Sequence, residues 1–248
     1  MAVIAATCFM LVAAMVGTGL FGGTSVQELQ DGALAADGSY LAPAGPAFSI
    51  WTVIYLGLIA YAVWQALPGR AADPRQRALG WGIALTEVLN GLWLVAAQFT
   101  VLPVTVLAIV LLLVALAIVF RRAVANGPRG RVEAVLVDSV IGLHLGWVTL
   151  ATVANVAAWL TQLAPRDWEA GAEVWGLVVL VVVALVGCGI GWASGGRLAP
   201  AAALVWGLAW LAVGRLAAEP HSIVLGVAAI VVAVLIGVVT VIRRVRAQ

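Results

Sequence analysis

The stretch from His144 to Trp159 contains the side chains best suited to bind a ligand. On a helix, one continuous face would carry the residues at i, i+3, i+7, i+11 and i+15. These are His144, Trp147, Ala151, Asn155 and Trp159. An imidazole, two indoles and an amide can contact an aromatic ligand with polar edges, and the methyl group of Ala151 leaves room for it. Unpartnered polar groups are costly in hydrocarbon, so this face is predicted to point toward protein or a ligand.

The composition indicates that these residues lie inside a membrane. Hydrophobic residues make up 64% of the 248 residues and charged residues 10%, whereas a soluble domain has roughly 25% charged residues. All 13 basic residues are Arg, so a lysine Schiff base, and with it a retinal protein, is excluded. Cys8 and Cys188 lie in apolar stretches and predict neither a disulfide framework nor a metal site.

Eight apolar segments are long enough to cross a bilayer as helices, which requires about 20 residues each. They lie at about 2–20, 47–67, 79–98, 103–120, 134–163, 172–193, 199–215 and 222–242. The predicted fold class is therefore all-α, a polytopic membrane helix bundle with about eight transmembrane helices. The fourth segment is short and the fifth is long, so we expect Asp138 near the membrane surface and Glu133 beyond it.

The distribution of Arg predicts how the bundle is oriented. Eleven Arg residues follow helices 2, 4, 6 and 8, whereas the alternate loops contain two, Arg166 and Arg215. Cytoplasmic loops retain positive charge, so both termini are predicted to be cytoplasmic, in a multi-pass protein of a bacterial inner membrane. The acidic loop from Phe21 to Pro46 is then external, and we interpret it as a lid, with a disordered connector as the alternative.

Helices 2 and 3 carry further aromatic and polar side chains that could face the same site. Trp51 and Tyr55 share one stripe of helix 2, and Glu87, Asn90 and Trp93 follow one another at i+3 steps on helix 3. The two Asn residues could equally form hydrogen bonds between helices. The candidate ligand-binding residues are Trp51, Tyr55, Glu87, Asn90, Trp93, His144, Trp147, Ala151 and Asn155.

Three blocks carry a family resemblance. They are FSIWTVIY from Phe48 to Tyr55, LNGLW from Leu89 to Trp93, and WVTLATVANVAAW from Trp147 to Trp159. Their order and spacing resemble the tryptophan-rich sensory protein family (TspO/MBR), whose animal members are the translocator proteins or peripheral benzodiazepine receptors. The chain departs from the family pattern at Leu143 and His144, which replace a Pro-Tyr pair. The sterol-recognition pattern of the animal proteins is missing, because no Tyr follows helix 5.

The resemblance covers residues 1–163 and implies a five-helix ligand-binding bundle whose pocket opens toward the loop between helices 1 and 2. Residues 164–248 are predicted to form a three-helix C-terminal membrane extension, which serves packing or a subunit interface such as that of a homodimer. Members of the family bind porphyrins, haem and other flat apolar ligands. Some bacterial members are reported to degrade protoporphyrin in light, using two tryptophans whose positions match Trp51 and Trp147.

Three functions remain as alternatives at this point. The first is a sensory or receptor-like protein that binds a porphyrin-like or other flat apolar ligand. The second is an enzyme that degrades porphyrin by photo-oxidation at Trp51 and Trp147, and the third is a carrier of tetrapyrroles or other lipophilic molecules. No cofactor is expected to be required, and a porphyrin or haem would be bound as the ligand. His144 is either a packing residue or an axial haem ligand. The expected partners are the lipid bilayer and the ligand, with no nucleic acid.

Overall fold

The computed structural model describes residues 1–20, 24–70, 72–165 and 171–247. Eight long helices run through these parts of the chain: α1 (Ala2–Gly17), α2 (Ile50–Ala66), α3 (Pro74–Phe99), α4 (Leu102–Ala125), α5 (Arg131–Leu163), α6 (Ala172–Ala193), α7 (Leu198–Ala217) and α8 (Ile223–Arg246). The described ranges contain no strand, so the predicted all-α fold is confirmed.

Seven of these helices are long and apolar enough to cross a membrane. The remaining helix, α1, is apolar but has only 16 residues, which corresponds to a length of about 24 Å. The chain is therefore an integral, multi-pass membrane protein.

The bounds of α3 and α4 differ from those predicted from hydropathy. α3 begins at Pro74 rather than at residue 79, because the side chain of Asp73 accepts hydrogen bonds from the backbone N–H groups of Arg75 and Gln76 and thereby caps the helix. α4 has 24 residues and ends at Ala125, so the prediction that this segment is short was wrong. The basic side chain of Arg122 lies in its last turn, where positive charge is favourable.

The helices pack in an order that links the two ends of the chain. α3 lies between α1 and α4, α5 packs against α4 and α7, and α8 packs against both α6 and α7. α7 is thus the element through which the three C-terminal helices contact the first five. The division of the chain into two domains at residue 163 stays a prediction.

A close approach of backbones joins α5 to α7. A Cβ atom added at Gly146 would lie 2.2 Å from the carbonyl oxygen of Pro200, and one added at Gly207 would lie 2.2 Å from the side chain of Leu150. Both distances are far below van der Waals contact, so these two positions require the small size of Gly. Small residues allow membrane helices to pack at short range.

Two glycines of α6 permit a close contact with another helix. A Cβ atom at Gly187 would lie 2.4 Å from the side chain of Ile236, and one at Gly191 would lie 2.4 Å from the Thr240 hydroxyl oxygen. These two positions therefore bring α6 against α8. Gly195 follows the end of α6 and has a φ angle of +72°, which favours Gly because L side chains rarely adopt it.

A buried ionic cluster joins α3, α5 and α7 at one end of the bundle. The guanidinium group of Arg75 lies 2.8 Å from Asp138 Oδ2 and 3.4 Å from Glu133 Oε2, and Arg197 pairs with the other oxygen of Asp138. Asp138 and Glu133 are 7% and 5% exposed, so both carboxyl groups are enclosed by protein, while their position relative to the membrane surface stays a prediction. A π-helical segment, Ala134–Ser139, carries Asp138 within α5.

The loop between α1 and α2 folds across the opposite end of the bundle, which we call the Arg-poor end. The amide of Gln30 donates to the carbonyl oxygen of Thr100 at 2.7 Å, and the backbone N–H of Ala44 donates to Trp210 O at 3.2 Å. Residues 21–23, at the start of the predicted lid, lie outside the described residues. The segment 24–46, which we call loop 1, is thus bound to α3 and α7.

Arg215 does not lie in a loop, as the charge distribution had suggested, but within α7. It is 1% exposed, and its guanidinium group donates to the carbonyl oxygens of Ser39 at 3.3 Å and Ala36 at 3.1 Å. Arg166, the other Arg of this end, lies outside the described residues. Arg215 therefore serves as a further attachment of loop 1 to α7.

The contact between α5 and α7 can be tested by adding one methyl group. We expect Gly146→Ala to lower the free energy of unfolding by about 1–3 kcal/mol, because the Cβ would force two backbones apart. In the matched control, Gly189→Ala, the Cβ of an exposed α6 position meets nothing within 4 Å and the helix gains up to about 1 kcal/mol of propensity. Thermal unfolding of the purified protein in detergent measures both changes. Equal stability of the two variants would contradict the packing described.

Candidate functional site

Two tryptophans of the predicted set contact each other between α2 and α5. The ring centroids of Trp51 and Trp147 are 6.1 Å apart with an interplanar angle of 85°, the edge-to-face geometry that aromatic pairs favour. Phe48 makes a similar contact with Trp147 from the other side, at 5.7 Å. Trp147 is 1% exposed, so its ring is fixed by aromatic neighbours rather than by lipid.

A hydrogen bond connects the predicted residues of α3 and α5. Trp93 Nε1 donates to Asn155 Oδ1 at 3.1 Å, and the amide group of Asn155 donates to the carbonyl oxygen of Ala151 at 2.9 Å. The sequence left open whether Asn155 bonds between helices or contacts a ligand. In this structure it bonds between helices, and its side chain also lines the cavity described next.

Five of the nine predicted residues line one cavity at the Arg-poor end: Trp51, Trp93, Trp147, Ala151 and Asn155. Loop 1 closes this cavity with residues that include Leu34, Ala42 and Pro43. Its volume is about 40 Å³, which is room for a few water molecules. Sites for drug-sized ligands have about 300–1,000 Å³, so a macrocycle fits only after loop 1 moves.

The other four predicted residues lie outside the lining of the cavity. Two of them contact Trp51: the ring centroid of Tyr55 lies 5.2 Å from its indole and that of His144 5.8 Å. Glu87 accepts a hydrogen bond from the hydroxyl group of Thr7 on α1 at 2.9 Å. Asn90 is completely buried on the same helix as Glu87.

Several buried polar atoms of the predicted set have no hydrogen-bond partner among the described residues. They are Glu87 Oε1, His144 Nε2 and Trp147 Nε1. A buried donor or acceptor without a partner costs about 1–3 kcal/mol. Of these three residues, Trp147 lines the cavity, so its indole N–H is the group placed to bond a ligand or a water molecule there.

Trp159, the last residue of the predicted face, lies apart from the cavity. It packs with Leu34 against a small cluster of Ala33, Leu102 and Ala158. The α5 face that lines the cavity therefore begins at Trp147 and ends at Asn155, while His144 lies on one side of it and Trp159 on the other.

The sequence reasoning missed part of the cavity lining. Leu150 and Ala154 line it and lie three and seven residues after Trp147, so the helical period could have identified them. Phe48 also lines it and was quoted only as part of a motif. The residues of loop 1 carry no periodic signal, and hydrophobic spacing could not have assigned them to the site.

The fold and the cavity define a class of multi-pass helical membrane protein with a closed aromatic chamber under an inter-helix loop. The sequence matches the family described as TSPO-like protein over residues 1–242, so the chain belongs to this family. The resemblance predicted from the three sequence blocks is confirmed, and the matched region also includes α6, α7 and α8. No curated protein and no solved structure matches the chain.

Proposed function

We propose that the protein binds a porphyrin-like or other flat apolar ligand between α2, α3 and α5. The observation that carries this proposal is the convergence of Trp51, Trp93 and Trp147 on one cavity. Indole rings offer a wide π surface, which suits a flat macrocycle. A soluble, polar ligand would find few partners in a chamber whose lining is mostly aromatic and aliphatic.

The polar groups around the chamber suit the edge of such a ligand. Trp147 Nε1 is a donor without a partner among the described residues, and the Asn155 amide lies at the chamber wall. His144 Nε2 is also without a partner, and its ring contacts Trp51. Axial ligation of haem iron by His144 would require Trp51 to move, because His144 does not line the cavity in this conformation.

We further propose that loop 1 is a lid. The closed cavity is an order of magnitude smaller than a typical ligand site, so binding requires the lid to open. The side-chain bonds that hold it run from Gln30 to α3 and from the buried Arg215 to Ser39 and Ala36. The lid would open when these bonds break, without disruption of the helix packing.

We infer that the ligand reaches the chamber from the external side of the membrane. The Arg distribution favours an Arg-poor end on the external side of a bacterial inner membrane and both termini in the cytoplasm. Loop 1 contains Glu28, Asp31 and Asp37, so its charge is consistent with an external loop.

Titration with protoporphyrin IX tests the proposed binding. We expect saturable quenching of tryptophan fluorescence in the purified protein. The dissociation constant should be about fivefold higher in Trp147→Phe, because the smaller ring lacks the indole N–H donor and part of its π surface, a loss of about 1 kcal/mol. The matched control is Trp81→Phe, since Trp81 is 76% exposed on the outer side of α3. The affinity of this variant should equal that of the wild type.

Further measurements on the purified protein distinguish binding, degradation and transport of the porphyrin. Absence of saturable quenching in the wild type would reject the binding proposal altogether. An illuminated complex whose porphyrin absorption spectrum decays would instead support degradation at Trp51 and Trp147, whereas an unchanged spectrum leaves binding without chemistry. Protoporphyrin uptake into sealed vesicles above the level of empty vesicles would favour the carrier.

If loop 1 is a lid, it determines how the rate of porphyrin binding depends on the porphyrin concentration. If opening limits association, the observed rate in stopped-flow fluorescence should reach a plateau as the porphyrin concentration rises. Arg215→Met removes charge-assisted bonds to loop 1 and should raise this plateau about tenfold, while the exposed control Arg121→Met should leave it unchanged. A rate that rises linearly without a plateau, and is equal in all three proteins, would reject the lid.

A further inference from the structure

A second and larger cavity lies outside the aromatic chamber. It has a volume of about 680 Å³ and is formed by α5, α6 and the residues Ser39, Tyr40 and Leu41 of loop 1. We call it the α5–α6 groove. Its volume lies within the range of sites that hold drug-sized ligands, so it can hold such a ligand without rearrangement of the helices.

The groove lies at the Arg-poor end between α5 and α6, which make little direct contact with each other. α6 packs mainly against α8, whereas α5 packs against α4 and α7, so the facing sides of α5 and α6 are left largely uncovered. The groove is lined there by aliphatic side chains such as Val153, Val156 and Val179. In a membrane-spanning bundle, a gap between two helices opens sideways to lipid.

The length of the groove corresponds to one leaflet of a bilayer. Its wall on α5 extends from Thr152 to Leu163, a rise of about 16 Å, and the hydrocarbon core of a bilayer is about 30 Å thick. Trp175 stands in the groove and is 60% exposed, and an indole favours the depth of the lipid headgroups. A lipid chain that starts at this depth would end near Thr152.

Ser39 supplies a polar group in the lining of the groove. The residue is 5% exposed, and its hydroxyl oxygen has no hydrogen-bond partner among the described residues. Its position is fixed, because its carbonyl oxygen accepts a hydrogen bond from Arg215. A buried hydroxyl donor of this kind needs an acceptor to offset its desolvation.

We propose that the α5–α6 groove is a binding site for one acyl chain of a glycerophospholipid from the leaflet at the Arg-poor end. The chain lies along Val153 and Val156, and the ester carbonyl oxygen accepts a hydrogen bond from Ser39. An acyl chain combines an apolar body, the length of one leaflet and a single carbonyl acceptor at its head. The aliphatic side chains of Val153, Val156 and Val179 suit an acyl chain, whereas a flat macrocycle is better matched by the tryptophans of the chamber.

This site is independent of the proposed porphyrin chamber, although the two share a wall. Along α5, Ala151, Ala154 and Asn155 line the chamber, whereas Thr152, Val153 and Val156 line the groove. Loop 1 contributes Ala42 and Pro43 to the chamber and Ser39 to Leu41 to the groove. The porphyrin titration and the lipid labelling therefore test the two sites separately.

Photo-crosslinking of the full-length protein in detergent micelles tests the groove. The probe is a diacyl phosphatidylcholine with a diazirine in one acyl chain, and mass spectrometry locates the labelled peptides. We expect saturable labelling of the peptides that contain residues 152–165 and 172–179, which unlabelled diacyl phosphatidylcholine competes away. Val156→Trp should lower this labelling about fivefold or more by filling the groove. The matched control is Val182→Trp, at an α6 position that is 51% exposed and outside the groove, and should not change it.

A second arm tests the role of Ser39 in a protein with an intact groove. A diether phosphatidylcholine, which lacks both carbonyl oxygens, should compete about fivefold less well than the diacyl lipid, as expected for one hydrogen bond. Ser39→Ala should abolish this difference between the two competitors. A difference that persists in Ser39→Ala would reject the assigned hydrogen bond.

Two outcomes would overturn the site itself. Equal, non-saturable labelling of the groove and of the lipid-facing sides of α4 and α8 would mean that only bulk lipid contacts the groove. The groove could instead be labelled less than α4 while the protein is a dimer that Val156→Trp dissociates. That result would mean that a second copy of the chain covers the groove.

Discussion

The short contact between α5 and α7 at Gly146 is the constraint on which the position of Trp147 depends. With Gly146 against the carbonyl group of Pro200 and Gly207 against Leu150, the two backbones come together and fill the space behind the indole. The ring of Trp147 lies beside Gly207, where an added Cβ would be 3.3 Å from it, and it meets Trp51 and Phe48 edge to face. A bulkier α5–α7 interface would move this wall of the cavity.

α7 also connects the cavity to its proposed lid. Trp206 Nε1 donates to the carbonyl oxygen of Ala47 at 2.9 Å, and Arg215 holds Ser39 and Ala36. At the other end of the bundle, Arg197, which precedes α7, joins the buried ionic cluster through Asp138. The removal of one partner from such a cluster costs about 3–5 kcal/mol, so α7 is held firmly at both ends.

This arrangement gives the C-terminal helices a structural role that their sequence did not reveal. They carry few polar side chains, and the sequence indicated packing or a subunit interface. In the structure, α7 supports both the tryptophan wall and loop 1, while α6 forms one side of the α5–α6 groove. The match to the TSPO-like family over residues 1–242 agrees with a bundle in which these helices are an integral part.

Helical periodicity predicted which face of α5 lines the cavity, but not how far along the helix the cavity extends. Trp147, Ala151 and Asn155 line the cavity because residues at i, i+4 and i+8 share a face. His144 and Trp159 share that face too, yet lie beyond the cavity, since its extent is set by α2, α3 and loop 1.

The ionic cluster was missed because residue spacing does not show which helices pair. The length of the fifth segment predicted only the depth of Asp138 in the membrane, whereas its partner Arg75 belongs to a helix that begins five residues earlier than hydropathy indicated. The folding of loop 1 over the cavity was anticipated only from its length and its Pro residues. Its individual contacts, such as that of Leu34 with the cavity, depend on tertiary structure alone.

The central claim is that a flat ligand occupies the space between the tryptophans, and filling that space tests it most directly. Ala151 lines the chamber, whereas Ala157, on the same helix, lines the α5–α6 groove. The account predicts that Ala151→Leu abolishes saturable binding of protoporphyrin IX while Ala157→Leu binds as the wild type does. Equal affinities of the two variants, with unchanged thermal stability, would contradict the account.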